Sequence, residues 1–173
     1  MDSYKVFVGS SIVDLKEERI KICVAAQKIN DYMIDHSVDK FVDLDLCEFE
    51  DRAIANEGSQ YYINERIIRS NLAIFIVKSY LGEFTKAEIV LAKANKDLYT
   101  KTKIYLFVHH QLNELTKNEI ENLISGCDLK RIEYKEVKEL LYLILNSINE
   151  EYLEESMEFI ENRILLNDRD LGL

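Results

Sequence analysis

The sequence predicts a three-layer α/β domain of flavodoxin-like type, with a five-stranded, mostly parallel sheet and a C-terminal helical extension. Three observations carry this. First, β-rich runs and amphipathic helical stretches alternate along the chain. Second, the run 71–77, Asn-Leu-Ala-Ile-Phe-Ile-Val, shows no polar–apolar alternation, the mark of a strand covered on both faces. Third, 173 residues are enough for one such core.

Each element has its own local reason. Residues 4–8, Tyr-Lys-Val-Phe-Val, form a β-rich run that ends in Gly9-Ser10-Ser11. A helix follows over 14–35, because Leu15, Ile22, Ala25, Ala26, Ile29 and Met33 recur at helical spacing. Residues 40–46 read as the second strand, and the polar stretch 47–58 as a long loop. Ser59 can cap a helix running to Ser70, with Tyr62, Ile63, Ile67 and Ile68 as its apolar stripe. After the third strand, 84–98 is a helix expected to bury Ala87, Val90, Leu91, Ala94 and Leu98. Residues 103–108 form the fourth strand. Thr116–Ser125 is a short helix with Gly126 as C-cap, and 129–134 is a fifth strand at the sheet edge. From Glu136 the pattern is helical almost to Asn167, with a break expected near Asn146–Asn149. The expected organisation is therefore an α/β domain over 1–135 and a helical extension over 136–173 that leads towards a further domain.

Composition narrows the partners. A net charge of −10 disfavours phosphate backbones and anionic membranes, so neither nucleic acid nor a membrane is expected as a direct partner. The long apolar runs 74–77 and 104–108 cannot span a bilayer, and no leader peptide is recognised. Cys23, Cys47 and Cys127 have no CxxC spacing and read as buried or half-buried free thiols, which fits a reducing cytoplasm. His36, His109 and His110 form no metal-binding motif, so no metal is expected.

The stretch from Ile74 to Glu88 holds the main functional question. It reads as a buried strand, a turn, and a helix that opens with a carboxylate. Ligands of open α/β sheets bind outside the carboxyl ends of the strands, so Glu88 stands where a ligand would lie. Thr85-x-x-Glu88 also matches a capping box, as does Thr116-x-x-Glu119. Gly9-Ser10-Ser11 suits a phosphate or ribose at a helix N-terminus, or a plain tight connection with Ser11 or Asp14 as N-cap. Ser79 and Tyr80 can line the same crevice, Tyr80 either stacking on a ring or standing as a surface aromatic. Asp43 and Asp45, two apart, can bind Mg²⁺, hydrogen-bond a ribose or serve as solvated strand-end residues. Glu17-Glu18-Arg19 reads as a helix surface with local pairing, and the Glu150–Glu161 stretch as an acidic amphipathic helix, either a solvated face or one that docks a neighbouring domain through Tyr152, Phe159 and Ile160.

The opening Val6-Phe-Val-Gly-Ser-Ser-Ile-Val-Asp14-Leu15-Lys-Glu-Glu18-Arg19 resembles that of bacterial TIR-like (Toll/interleukin-1 receptor) domains, with their pattern hFhSSxxDLxxER. Gly58-Ser59, Ile63, Ile67, Ser70, the 72–77 strand, Ser79-Tyr80, Gly82, Thr85, Glu88 and Ala92 are similar to the central part of that family. The resemblance covers about residues 5–108. It implies a five-stranded parallel fold, cleavage of NAD at the nicotinamide–ribose bond, and activity on self-association in a cytoplasmic antiphage effector with a defence-system partner. It implies Glu88 as the catalytic carboxylate and NAD as substrate, with no separate cofactor. Gly9, Ser10, Ser11, Asp43, Ser79, Tyr80 and Thr85 are the residues expected around the ligand, with Phe49 as the aromatic of the loop after the second strand. A non-catalytic assembly or nucleotide-binding module is one alternative. A nucleoside deoxyribosyltransferase-like enzyme, with Glu88 as covalent nucleophile, is the other.

Overall fold

The structure, a computed structural model, describes residues 2–11, 14–46, 57–99 and 102–153. Phe49, Cys47 and the acidic stretch beyond 153 lie outside the described residues. The described chain runs β1 (Asp2–Ser10), α1 (Lys16–Asp35), β2 (Lys40–Asp45), α2 (Glu57–Arg69), β3 (Leu72–Val77), α3 (Glu83–Tyr99), β4 (Lys103–His109), α4 (Glu114–Ile124), β5 (Lys130–Tyr134) and α5 (Val137–Ile148). A π-helical turn, Asn149–Leu153, follows α5.

The strands form one parallel sheet in the order β2-β1-β3-β4-β5. This is the predicted flavodoxin-like layout. It makes β2 and β5 the edges and puts the reversal of strand order between β1 and β3, where open α/β sheets take their ligands. All of β3 is buried, as its unbroken apolar run requires.

Two cores sandwich the sheet. On one face Val6, Val8, Ile74, Ile76 and Phe107 pack under α1 and α5, through Leu15, Ile22, Ile29, Leu141 and Ile144. On the other, Phe7, Ala73, Phe75, Leu106 and Val108 pack under α2, α3 and α4. Helix α5 is thus one of the covering helices. Residues 137–153, expected in an extension, are held to the sheet through Leu140, Leu145, Ile148 and Leu153. The break expected near Asn149 is the change from α- to π-geometry, fixed by Lys40 Nζ, which donates to the carbonyls of Tyr152 (2.8 Å) and Leu153 (3.0 Å), and by stacking of Tyr152 on Tyr4 at 4.7 Å.

Several local expectations need correction. Helix α2 begins at Glu57, so Ser59 lies inside it and is not its cap. Tyr62 and Ile68 of its expected stripe are exposed, while Ile63 and Ile67 are buried. Helix α4 is capped by Asn113, whose side chain accepts from the Thr116 amide at 2.9 Å, a contact contributing roughly 1 kcal/mol. Thr116 is therefore no cap, and Glu119 instead pairs with Lys86 at 2.5 Å. Gly126 lies one residue past the cap residue Ser125, at φ +71°, in the left-handed conformation that favours glycine. Cys23 is exposed rather than buried.

The largest correction concerns α3. Val90 is 51% exposed, and Ala87 and Ala94 also face outward. The inner face is Thr85, Glu88, Ile89, Ala92 and Asn95. Asn95 can lie inside because its amide donates to Thr102 Oγ1 at 3.0 Å, and Thr102 donates to the Ser70 carbonyl at 3.0 Å. That buried chain of hydrogen bonds ties α3 to the entries of β3 and β4, so polar residues take the inner face without leaving those groups unsatisfied.

Candidate active site

Two loops meet over the carboxyl ends of β1 and β3. One carries Ser11 and Asp14 into α1; the other carries Lys78, Ser79, Tyr80, Leu81 and Gly82 into α3. Ser11 Oγ and Tyr80 Oη share a hydrogen bond at 2.9 Å, and the Ser79 amide donates to Asp14 Oδ2 at 3.0 Å. Both contacts span the reversal point. Helix α1 takes Leu15 as its N-cap residue without a side-chain cap, so neither Ser11 nor Asp14 is the cap; both reach across to the neighbouring loop.

Glu88 sits in the second turn of α3 and is fully buried. The first helical bond of α3 runs from the Lys86 amide to the Gly82 carbonyl at 2.9 Å, which places Thr85 inside the helix. The Thr85–Glu88 capping box is therefore not the reason for this carboxylate. Glu88 lies over β1 instead. A Cβ built on Gly9 would come within 2.7 Å of Glu88 Oε2 and 2.6 Å of Phe75 Cδ1. Gly9 and Phe75 are register partners on adjacent strands, so the missing side chain at position 9 makes room for the Phe75 ring and the Glu88 carboxylate together.

On the opposite face the hFhSSxxDLxxER residues serve the same end of the sheet. Leu15, Glu18, Arg19 and Ile22 are all buried, spaced i, i+3, i+4 and i+7. Glu18 and Arg19 are thus not the surface pair that the sequence suggests. Glu18 pairs with Lys78 at 2.5 Å. Arg19 donates to Ser10 Oγ at 2.7 Å and to the Leu46 carbonyl, which ties α1 to the ends of β1 and β2. Ser10 is fully buried in this contact. Tyr134, on β5 beyond Lys78, has its pKa pushed well above the usual tyrosine value, first by burial and then by the Glu18 and Asp14 carboxylates.

The structure therefore brings Gly9, Ser10, Ser11, Ser79, Tyr80, Thr85 and Glu88 to one end of the sheet. Asp43 stands apart: it is exposed on the edge strand, opposite Lys5 and short of the strand end. Asp45, at that end, pairs with Arg66 at 2.6 Å. An open groove of about 320 Å³ lies on α2, lined by Tyr62, Glu65, Arg66 and Arg69. Its lining does not include Glu88. Among the described residues no group of three or more His, Cys, Asp or Glu is placed to hold a metal ion, and no helix is long and apolar enough to cross a membrane.

The Ser11–Tyr80 hydrogen bond is the side chain to side chain member of the two exposed bridges across the loops. Tyr80→Phe is expected to keep the fold and favour separation of the loops. Loss of one exposed hydrogen bond, about 1 kcal/mol, is worth roughly fivefold in local opening. Faster amide exchange confined to 9–11 and 79–82 is the expected readout; uniform exchange across the chain would separate the bridge from any opening.

No family model and no curated protein matches the chain. Among solved structures it is similar to the CMP N-glycosidase BcmB of Clostridium botulinum, at 18% identity and a TM-score of 0.51, over 83% of this chain and 98% of that one. The likeness shows the fold.

Proposed function

We propose that this chain cleaves the N-glycosidic bond of a ribonucleotide, with Glu88 as the carboxylate that faces the ribosyl C1′. The observation that carries the proposal is the placement of Glu88: fully buried, off the helix cap, and seated against Gly9 at the reversal point of the sheet. A buried carboxylate away from any capping role costs solvation free energy, and functional sites are where such arrangements concentrate. The similar fold of a protein named as a CMP N-glycosidase supports the same bond class. The TIR-like pattern supports NAD as the ribonucleotide.

The chemistry asks little of the protein beyond placement. The C1′–N bond breaks with its electron pair leaving on the base, and positive charge builds on the ribosyl ring. Glu88 stabilises that charge across a site of low dielectric, where a fixed carboxylate acts more strongly than in water. Water then adds to C1′ and its proton passes to Glu88 or to solvent. Nicotinamide leaves neutral from a cationic start and needs no acid. A neutral base such as cytosine takes up a proton as it leaves. Capture of C1′ by Glu88 itself, giving a glycosyl-enzyme that water hydrolyses, is the covalent form of the same step. The Ser11–Tyr80 bridge opens to admit the sugar.

The test is chromatographic release of free base from NAD and from nucleoside 5′-monophosphates, run at high protein concentration because the family resemblance couples activity to self-association. Release of nicotinamide selects the NADase form, and release of cytosine or adenine the monophosphate form. Absence of any release, even from artificially clustered protein, would return the chain to the non-catalytic binding module.

A further inference from the structure

Among the described residues, the carboxyl end of β1 has a strand beside it on one side only. Pairing of β1 with β2 runs from Asp2↔Lys40 as far as Phe7↔Asp45, while pairing with β3 continues to Ser10↔Ile76. Val8, Gly9 and Ser10 therefore run past the end of β2 and are laddered to β3 alone. Segments with fewer hydrogen-bonded neighbours open at lower free energy. Yet this is the segment against which Glu88 is seated. Side chains alternate along a strand, so Gly9 faces Phe75 and Glu88 while Ser10 faces α1. Arg19 meets Ser10 there. It is 7% exposed, and its Nη1 donates to Ser10 Oγ at 2.7 Å while Nη2 donates to the carbonyl of Leu46, the residue after β2. One guanidinium thus joins the tip of β1 to the continuation of β2, just past the point where the two strands stop pairing.

We propose that Arg19 is a positioning residue for the Glu88 carboxylate. It takes the place of the missing strand pairing beside Ser10 and so fixes Gly9, the floor on which the carboxylate rests. The inference rests on the N-glycosidase reading and deepens it, by naming what holds the reacting group in place. Arg19 acts through one peptide link, from Ser10 to Gly9, and not on the reacting atoms. The fit at Gly9 leaves little tolerance, since even a methyl there would come within 2.7 Å of Glu88 Oε2. A small shift of the β1 tip towards α3 presses on the carboxylate, and a shift away withdraws its support. The geometry also accounts for an arginine at this position. Its two acceptors, a serine hydroxyl and a main-chain carbonyl, belong to different strands. A guanidinium presents its N–H groups in a rigid planar fork, whereas a lysine ammonium is a single point on a flexible stem.

The test uses two variants. Arg19→Lys keeps the cation but cannot hold both acceptors in one fork. Ser10→Ala is milder and removes only the acceptor on β1. Both are studied well below their melting temperatures, so that folded protein alone is compared. The first readout needs no turnover: the carboxyl-carbon NMR resonance of Glu88 in isotope-labelled protein, assigned by its absence from Glu88→Gln. Both variants are expected to move that resonance and to quicken amide exchange at Val8, Gly9 and Ser10. The second readout is base release. The kcat of folded protein should fall about tenfold or more, as for a displaced catalytic group, with KM little changed. The double variant Arg19→Lys/Ser10→Ala should lose no more than the worse single variant, because both break the same contact. On a Glu88→Asp background, where the carboxylate is already retracted, Arg19→Lys should cost less than it does on the wild type. A Glu88 resonance unmoved in both variants overturns the inference. So does a lowered melting temperature with wild-type kcat in the folded protein, which is what a purely structural arginine would give. A moved resonance in a chain that releases no base keeps the positioning role and retires the enzyme. Base release with an unmoved resonance and unchanged kcat retires the positioning role and leaves the enzyme standing.

Discussion

Glu88→Gln is expected to lower base release by roughly 10³-fold or more while the melting temperature stays within about 3 °C of the wild type. The two halves of this result have separate causes. Gln keeps the length and shape of the side chain and one acceptor oxygen, so packing against Gly9 and Phe75 survives. It removes the negative charge that a ribosyl cation needs. A tenfold loss of rate corresponds to about 1.4 kcal/mol of barrier, so the expected loss is about 4 kcal/mol of transition-state stabilisation. The folded state loses little, because a buried charge is expensive to hold in the first place. Glu88→Asp separates charge from position: it keeps the carboxylate but retracts it by one methylene. A displacement near 1 Å costs on the order of 10²-fold in a positioned site. Full turnover in the Gln variant would remove Glu88 from the chemistry. A steep fall in melting temperature, with activity lost only in proportion to unfolded protein, would make Glu88 a structural residue.

The layout of the sheet was legible because its signals are redundant. β3 reads as a strand buried on both faces from six consecutive apolar residues, and all six are buried. Helix α1 reads correctly because Leu15, Ile22, Ala25, Ala26, Ile29 and Met33 repeat over several turns with no competing stripe. Helix α3 failed because it carries two stripes of the same period. Ala87, Val90 and Ala94 lie on one, which faces outward; Thr85, Glu88, Ile89, Ala92 and Asn95 lie on the other, and Leu91 packs against the inner core as expected. Hydrophobicity chooses the first. The fold chooses the second, because Asn95 is satisfied by the Thr102–Ser70 chain and Glu88 fits the space left by Gly9. A stripe defined by apolar content cannot see partners that lie in other elements.

The same limit shaped the reading of the site. Glu88 was visible as a carboxylate near a strand end, but spacing alone could not separate it from a cap. The separation came from Gly82, whose carbonyl receives the first helical bond and so places Thr85 within the helix. Glu18 and Arg19 share a helical face with Leu15 and Ile22, so their spacing points to burial, in line with the structural role that the TIR-like pattern implies for the pair. Charged residues on an apolar face imply partners across the fold, here Lys78 and Ser10. Tyr134 gave no such signal. It lies at the end of a short edge strand, and its burial comes from the core beneath α1 and α5 rather than from any repeat in its own segment. Asp43 misled for the opposite reason: its spacing from Asp45 suggested a pair, but strand register leaves it short of the ligand end.

Gly9→Ala is expected to lower stability and activity together, which ties the strand to the carboxylate. The added methyl would lie 2.6 Å from Phe75 Cδ1, 2.8 Å from Phe75 Cε1 and 2.7 Å from Glu88 Oε2. Phe75 is fully buried and packs against the ring of Phe7 at 6.1 Å, so it has little room to retreat. Overpacking of this kind costs about 1–3 kcal/mol. In a chain of this size that is a fall of roughly 2–12 °C in melting temperature. The carboxylate must also move by several tenths of an ångström, and turnover falls with it. Gly82→Ala is the control, because its methyl meets only Tyr80 Cε2 at 3.6 Å, an ordinary contact, and stability should hold. The double variant Gly9→Ala/Phe75→Leu then divides the two effects. Removing the ring relieves the crowding and should recover part of the lost stability. It does nothing for the contact with Oε2, so turnover should stay low. A Gly9→Ala protein with wild-type melting and wild-type turnover would show that β1 and Glu88 do not meet, and the proposed site would lose its floor.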